Sequence, residues 1–350
     1  PVVAGGRLFV AAVDQHAVHA LDAETGKELW SFTAGSRIDS PPTIDGHRVL
    51  FGSADGYVYC LRATDGALAW RFRAAPMHRW MCAFEQVESV WPVSGSVLVQ
   101  DGVVTCVAGR SMFVDGGLRF LKLDAETGRL IKETSLDERD PTTGDNLQAY
   151  VEVRNMPVGL PDVLSGDGRF VYMRSQVMDL DGNRTRDSLE QRKGSDAQRA
   201  IVQKGEQAHL FSPTGFLDDS WWHRSYWVYG RSFAEGAGGW PQAGKVAPAG
   251  RILVFDESNV YGFGRQPRYY TWRTPMEYHL FATTKQPKLV IEPNRRGTQN
   301  NAARRDAKSR TTRSAKADSQ RQAASKTTPR QPAKKRIPHP QYHWTRSIPI

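Results

Sequence analysis

The densest set of chemically capable side chains in the 350-residue chain is Leu217-Asp-Asp-Ser-Trp-Trp-His-Arg-Ser-Tyr-Trp-Val-Tyr-Gly-Arg231. Asp218, Trp221, Trp222, His223, Arg224, Trp227 and Arg231 form a candidate ligand or partner surface. Aromatic planes suit a flat or sugar-like ligand, and arginine suits an anion. The glycines from Gly236 to Gly250 would then form a loop over that surface. The plainer reading is a divergent structural unit whose aromatics fill gaps between sheets. Asp218, Asp219 and His223 have the donor types of a metal site, but their spacing matches no ligand motif. Other chemistry is sparse. Cys60, Cys82 and Cys106 are separated, odd in number and lack C-x-x-C spacing, which argues against zinc, haem attachment and a disulfide framework. Cys60 and Cys106 fall in strand patterns as small apolar residues. Cys82, in the Met77–Cys82 insertion, is the thiol to test for reactivity.

These residues must be positioned by a repeat. Ala20-Leu-Asp-Ala-Glu-Thr-Gly-Lys-Glu-Leu-Trp30 returns as Cys60-Leu-Arg-Ala-Thr-Asp-Gly-Ala-Leu-Ala-Trp70. Pro1 to Asp22 aligns on Pro41 to Arg62 without a gap, with Gly6 over Gly46. A weaker third copy is Leu121-Lys-Leu-Asp-Ala-Glu-Thr-Gly-Arg-Leu-Ile131. Each copy reads as four short alternating strands joined by Gly- and Asp-bearing turns, with Gly26 and Gly66 where a positive φ is expected. Four strands every forty residues predict a β-propeller of four-stranded antiparallel blades, since radial packing protects sheet edges.

Ala20, Asp22, Thr25, Gly26 and Trp30 match every fixed position of the tryptophan-docking pattern A-x-D-x-x-T-G-x-x-x-W. In this the chain resembles the PQQ-like (pyrroloquinoline-quinone-type) propeller repeat of quinoprotein dehydrogenases and of BamB-like outer-membrane assembly factors. The second copy keeps Gly66 and Trp70; the third keeps Asp124, Thr127 and Gly128 but has Lys132 where Trp is expected. The resemblance implies that these residues dock one blade on the next. It also implies a periplasmic or cell-envelope location and a protein or envelope-polymer partner bound through blade-edge loops. PQQ and calcium are cofactors of the quinoprotein branch, whose adjacent-cysteine disulfide has no counterpart here. No catalytic residue is predicted, and the expected role is a non-catalytic scaffold or binding module. The alternative is a ligand-binding propeller enzyme with its site near Asp218–Arg231.

The expected organisation is three recognisable blades over 1–138 (about 1–35, 36–76 and 91–138). Divergent blades follow over 139–292, with a polar insertion at 183–207 and the Trp/Gly-rich segment at 217–250. Four to five blades are visible in this reading and the ring is incomplete. Residues 293–337 are expected to be a disordered basic linker, and 338–350 the first strand of a further blade. Because the chain begins at Pro1 inside a strand pattern, it is expected to be a fragment of a longer propeller. Any export signal would then lie upstream.

Charge is concentrated. Asn294 to Arg336 carries fourteen Lys and Arg against Asp306 and Asp318, so of the whole chain's +10 the remainder holds −2. The segment has too few apolar residues to offset its ordering entropy. It reads as a solvated insertion, or as an electrostatic tether to an anionic surface. It lacks aromatic residues for base stacking, which argues against sequence-specific nucleic-acid binding. No apolar run is long enough to span a membrane.

Overall fold

The computed structural model describes residues 1–83, 85–140, 143–146, 159–174, 176–184, 208–212, 226–230, 244, 247–265, 278–285, 288–292, 335–339 and 342–347. They are almost entirely strand and turn. The first sheet is β1 (Val2–Ala4), β2 (Arg7–Ala12), β3 (Ala17–Asp22) and β4 (Glu28–Thr33), paired in that order. The second repeats it with β5 (Thr43–Asp45), β6 (Arg48–Gly52), β7 (Tyr57–Arg62) and β8 (Leu68–Arg73). A two-stranded ribbon follows, β9 (Trp80–Ala83) with β10 (Gln86–Ser89). The third sheet is β11 (Leu98–Gln100), β12 (Val103–Ala108), β13 (Leu118–Asp124) and β14 (Leu130–Leu136). The fourth is β15 (Leu164–Gly166), β16 (Phe170–Met173) and β17 (Gln176–Asp179), and the fifth β18 (His209–Phe211), β19 (Trp227–Gly230) and β20 (Ala249–Gly250).

Burial alternates along the strands because successive side chains point to opposite faces. In the first sheet Phe9, Val18, Ala20 and Trp30 face Val49, Phe51, Tyr59 and Leu61 of the second. The other face of the second sheet turns Leu50, Val58 and Cys60 toward Val104, Cys106 and Leu121 of the third. The short first strands β1, β5, β11 and β15 touch one another in succession, as blades set around an axis require. Hydrogen bonds link the units in the same order. Ser40 Oγ donates to the Gly95 carbonyl at 3.1 Å, Leu164 N to Ser96 Oγ at 2.8 Å, and Ser165 Oγ to the Leu210 carbonyl at 2.9 Å.

The structure changes two expectations. The first concerns the gapless alignment. Ala20 lies opposite Phe9 and Cys60 opposite Leu50, so β2 and β6 correspond with an offset one residue larger than β3 and β7. Gly5 (φ 55°), not Gly6, is therefore the counterpart of Gly46 (φ 57°). The extra residue is returned in the β2–β3 connection, where Val13–Gln15 forms a 3₁₀ turn. The second concerns the C-terminal segment. β21 (Ile252–Phe255), β22 (Asn259–Arg265) and β23 (Tyr278–Thr284) begin the sixth sheet, β24 (Lys288–Glu292) pairs with β25 (Lys335–His339), and β26 (Tyr342–Ser347) pairs with β23. The terminal segment thus completes the sixth sheet instead of opening a further blade. The β24–β25 ribbon brings the chain back to the open edge of β23, an edge that a new strand satisfies. Lys335 to Ile337, assigned to the linker from sequence, are strand residues; the rest of the basic segment lies outside the described residues.

Candidate functional site

The repeat's signature residues converge on the joints between sheets. In the first copy Asp22 Oδ1 accepts from Thr25 N at 2.8 Å and Thr25 Oγ1 at 2.7 Å, and Gly26 closes the turn at φ 70°. Asp124, Thr127 and Gly128 repeat this geometry, again at 2.8 and 2.7 Å. These bonds favour the ionised carboxylate, so Asp22 and Asp124 titrate below the usual range. The second copy closes the same turn differently. Arg62 Nε donates to Asp65 Oδ1 at 2.8 Å and its terminal nitrogen reaches Oδ2 at 2.5 Å, with Gly66 at φ 72°. An ion pair replaces a carboxylate–hydroxyl pair while the backbone path is kept.

The second and third of these turns each receive a ring from the preceding sheet, whereas nothing lies within 4 Å of the position a Cβ would take at Gly26. Trp30 donates its indole N–H to the Ala63 carbonyl at 3.1 Å and lies flat on Gly66, where a Cβ would stand 2.6 Å from Cε3. Trp70 reaches the Ala125 carbonyl at 3.2 Å and lies on Gly128, where a Cβ would stand 2.6 Å from Cδ2. The glycines are needed twice over, for the positive φ and for the ring's close approach. The joint between the third and fourth sheets has Lys132 at the Trp position. Its ammonium lies 2.9 Å from Asp181 Oδ2, Thr134 Oγ1 donates to the Asp181 carbonyl at 2.6 Å, and Phe120 supplies the ring against Gly182. Sequence reading missed this joint; its trace is the Asp179-Leu-Asp-Gly182 turn, which keeps the acid and the glycine but lacks the threonine.

The β9–β10 ribbon lies across one end of the first three sheets. His16 Nε2 pairs with Gln86 Oε1 at 3.0 Å, Ser36 Oγ donates to the Val87 carbonyl at 3.0 Å, and Ser89 N donates to the Ala54 carbonyl at 2.7 Å. Buried Glu88 lies 2.7 Å from Arg37, which also donates to Asp39 at 2.9 Å. Trp91 anchors the exit, donating to the Asp115 carbonyl at 3.0 Å. With its inner face held in this way, the ribbon turns Trp80, Cys82 and Val87 outward, with Trp80 49% and Val87 57% exposed.

A family model described as outer membrane protein assembly factor BamB matches residues 1–210. The chain belongs to this family. A polyvinylalcohol dehydrogenase of a Pseudomonas species is 27% identical over 120 residues, which is 34% of this chain and 17% of that protein. The chain therefore matches about a sixth of that curated relative's length. Among solved structures, BamB from Moraxella catarrhalis is 12% identical with a TM-score of 0.40, covering 74% of this chain and 67% of that one. The quinohemoprotein alcohol dehydrogenase ADHIIG from Pseudomonas putida HK5 is 13% identical with a TM-score of 0.43, covering 84% and 52%.

In this BamB-family chain, Asp218, Trp221, Trp222, His223, Arg224 and Arg231 lie outside the described residues. Trp227 is described: it opens β19 opposite Gly250, half-buried, packed against the cluster of Tyr229, Leu253, Val260 and Phe281. Cys60 and Cys106 are buried, and burial pushes their thiols up to about 11 and about 12, so neither supplies a thiolate near neutral pH. Among the described residues, no three His, Cys, Asp or Glu side chains gather as a metal site, and no helix is long and apolar enough to cross a membrane. Sequence reading also missed an Asp–Tyr clasp. Tyr172 donates to Asp167 at 2.6 Å and Tyr261 to Asp256 at 2.7 Å, five residues apart in each case, tying the first hairpin of the fourth and sixth sheets.

The polar joint has a measurable consequence. The Lys132 hydrogen bond holds Asp181 below the usual carboxylate range. A depressed folded-state pKa stabilises above the unfolded value of about 3.9 and loses that contribution as pH falls through the folded value. Lys132→Met is expected to lower the melting temperature slightly at pH 7, with the gap to the parent closing as pH falls below the ordinary carboxylate range. Melting curves across pH check this; a gap that is constant with pH would assign the effect to packing.

Proposed function

We propose that the chain is a non-catalytic PQQ-type propeller serving as a scaffold or binding module in the bacterial cell envelope. Family membership supports a periplasmic setting and a protein partner or envelope polymer bound through loops at the blade ends. The observation that carries the reading is the β9–β10 ribbon, a pinned element that turns Trp80 and Val87 to solvent. A rigid exposed tryptophan costs little entropy to bury and suits an interface anchor. Pro76, Met77, His78 and Arg79 continue the exposed strip.

A photo-crosslinking residue at Trp80 is expected to trap a discrete adduct in the envelope, whereas one at Leu29, similarly exposed on an outer strand, is not. Equal labelling at both positions would remove the ribbon from the interface. The second reading, a quinone- or other ligand-binding propeller enzyme with a site near Asp218–Arg231, is favoured by the match to the polyvinylalcohol dehydrogenase. Titration with pyrroloquinoline quinone and calcium separates the two. We expect no saturable binding at micromolar concentrations; saturable binding lost in Trp222→Ala and His223→Ala would replace the scaffold reading with the enzyme reading.

A further inference from the structure

The first four sheets each turn between their second and third strands, and each turn holds a residue at positive φ: His16 (56°), Gly56 (84°), Asp115 (54°) and Arg174 (53°). In three of them the polar side chains are paired. His16 holds Gln86 at 3.0 Å. Asp55, beside Gly56, accepts from Gly35 N at 3.0 Å and Tyr59 Oη at 2.5 Å. Asp115 holds Arg110 at 2.6 Å. The fourth turn is different. It is a tight hairpin, Met173 opposite Gln176, and its arginine is 8% and its glutamine 2% exposed. Arg174 Nε and both carboxamide atoms of Gln176 are sealed from solvent, with no hydrogen-bond partner among the described residues.

Three costs coincide within these three residues. A left-handed backbone disfavours any residue with a Cβ, and arginine has no local hydrogen bond to offset it as Asn or Asp would. A guanidinium cannot shed its charge, so sealing its Nε from solvent without a partner is costly. A carboxamide sealed with neither end bonded forfeits its hydration without return. Unsatisfied buried groups gathered on a strained turn are the marks of a site whose partner is a ligand.

We propose that Arg174 and Gln176 bind an organic carboxylate. A guanidinium edge meets a carboxylate through two parallel N–H···O bonds. One cation balances one negative charge, whereas a phosphate dianion would leave excess charge in a nearly closed site. Gln176 adds a donor for the second carboxylate oxygen and an acceptor for an N–H or O–H on the ligand, so an amide or hydroxyl beside the carboxylate fits best. Of the guanidinium nitrogens only Nε is sealed, which leaves the outer edge of the group as the point of entry.

The test is calorimetric titration of the full chain with N-acetylglycine, with an N-acetylated Gly-Glu-Gly amide, and with inorganic phosphate. Saturable binding of at least one carboxylate is expected, with phosphate at least about tenfold weaker. Preference for the first points to a free metabolite-sized acid, and for the second to an acidic side chain on a protein. Arg174→Gly, which suits the turn and is expected to melt no lower than the parent, should abolish binding. Arg174→Lys should weaken it about tenfold because the charge stays but the fork is lost. No saturation by either carboxylate, equal binding of phosphate, or undiminished affinity in Arg174→Gly would overturn the proposal.

Discussion

Replacing Trp30 by alanine is expected to lower the free energy of unfolding by about 3–5 kcal/mol, the range for truncating a large buried aromatic. Three contributions add at this position. The indole is 8% exposed and sits in the cluster that joins the first two sheets, beside Phe9 at 5.9 Å between ring centroids. Its N–H is the donor to the Ala63 carbonyl, which would be left buried without that bond. Its face also covers Gly66, so the deletion opens a cavity at the joint rather than a dent at the surface. In an array whose stability is a sum of unit and neighbour terms, losing one neighbour term separates the first sheet from the rest before global unfolding. Denaturant titration should therefore show a lower midpoint, and hydrogen exchange should show the loss of protection concentrated in 2–33. Loss of under about 1 kcal/mol would mean that the joint is held by the aliphatic contacts alone. Trp70, only half-buried, should lose less on the same substitution.

The contrast between these two joints and the third explains how much could be read from sequence. Where a Trp faces a glycine turn, the signature recurs: each eleven-residue copy carries its own turn and the ring that docks on the next copy's turn. The spacing from Ala20 to Trp30 therefore exposes the propeller and its order of assembly. Lys132 breaks that pattern, and its partner Asp181 sits in a turn without the threonine, so neither side of this joint carries the repeated signature. The first hairpins of the fourth and sixth sheets are closed internally by the Asp167–Tyr172 and Asp256–Tyr261 clasps, which do not share the forty-residue signature. The closing strand β26 pairs with β23 across the basic insertion, a non-local pairing that composition conceals. The offset between β2 and β6 escaped notice because a longer β2–β3 connection cancels it before Ala20. Of the candidate surface proposed from sequence, Trp227 alone is described, and it packs into a core cluster. Arg174 and Gln176 carry no motif. What singles them out is burial without partners and a positive φ, properties that the tertiary fold confers.

Gly66→Ala and Gly26→Ala should separate backbone strain from ring contact, since the two glycines hold almost the same conformation, φ 72° and 70°. A methyl at Gly26 meets nothing within 4 Å, so that variant should lose only the left-handed penalty of about 1–2 kcal/mol. A methyl at Gly66 would stand 2.6, 2.8 and 3.2 Å from three atoms of the Trp30 ring. The indole cannot slide away without breaking its bond to Ala63 and its packing on Phe9, so a further cost of about 1–3 kcal/mol is expected from overpacking. The mechanism predicts a specific non-additivity. In a Trp30→Ala background the ring is gone, the added methyl enters the space it left, and Gly66→Ala should cost no more than Gly26→Ala does. Urea titration of the parent, the three single variants and the double variant completes the cycle. Equal losses for Gly26→Ala and Gly66→Ala in the parent would show that the ring yields freely, and the glycine would then be explained by its φ alone.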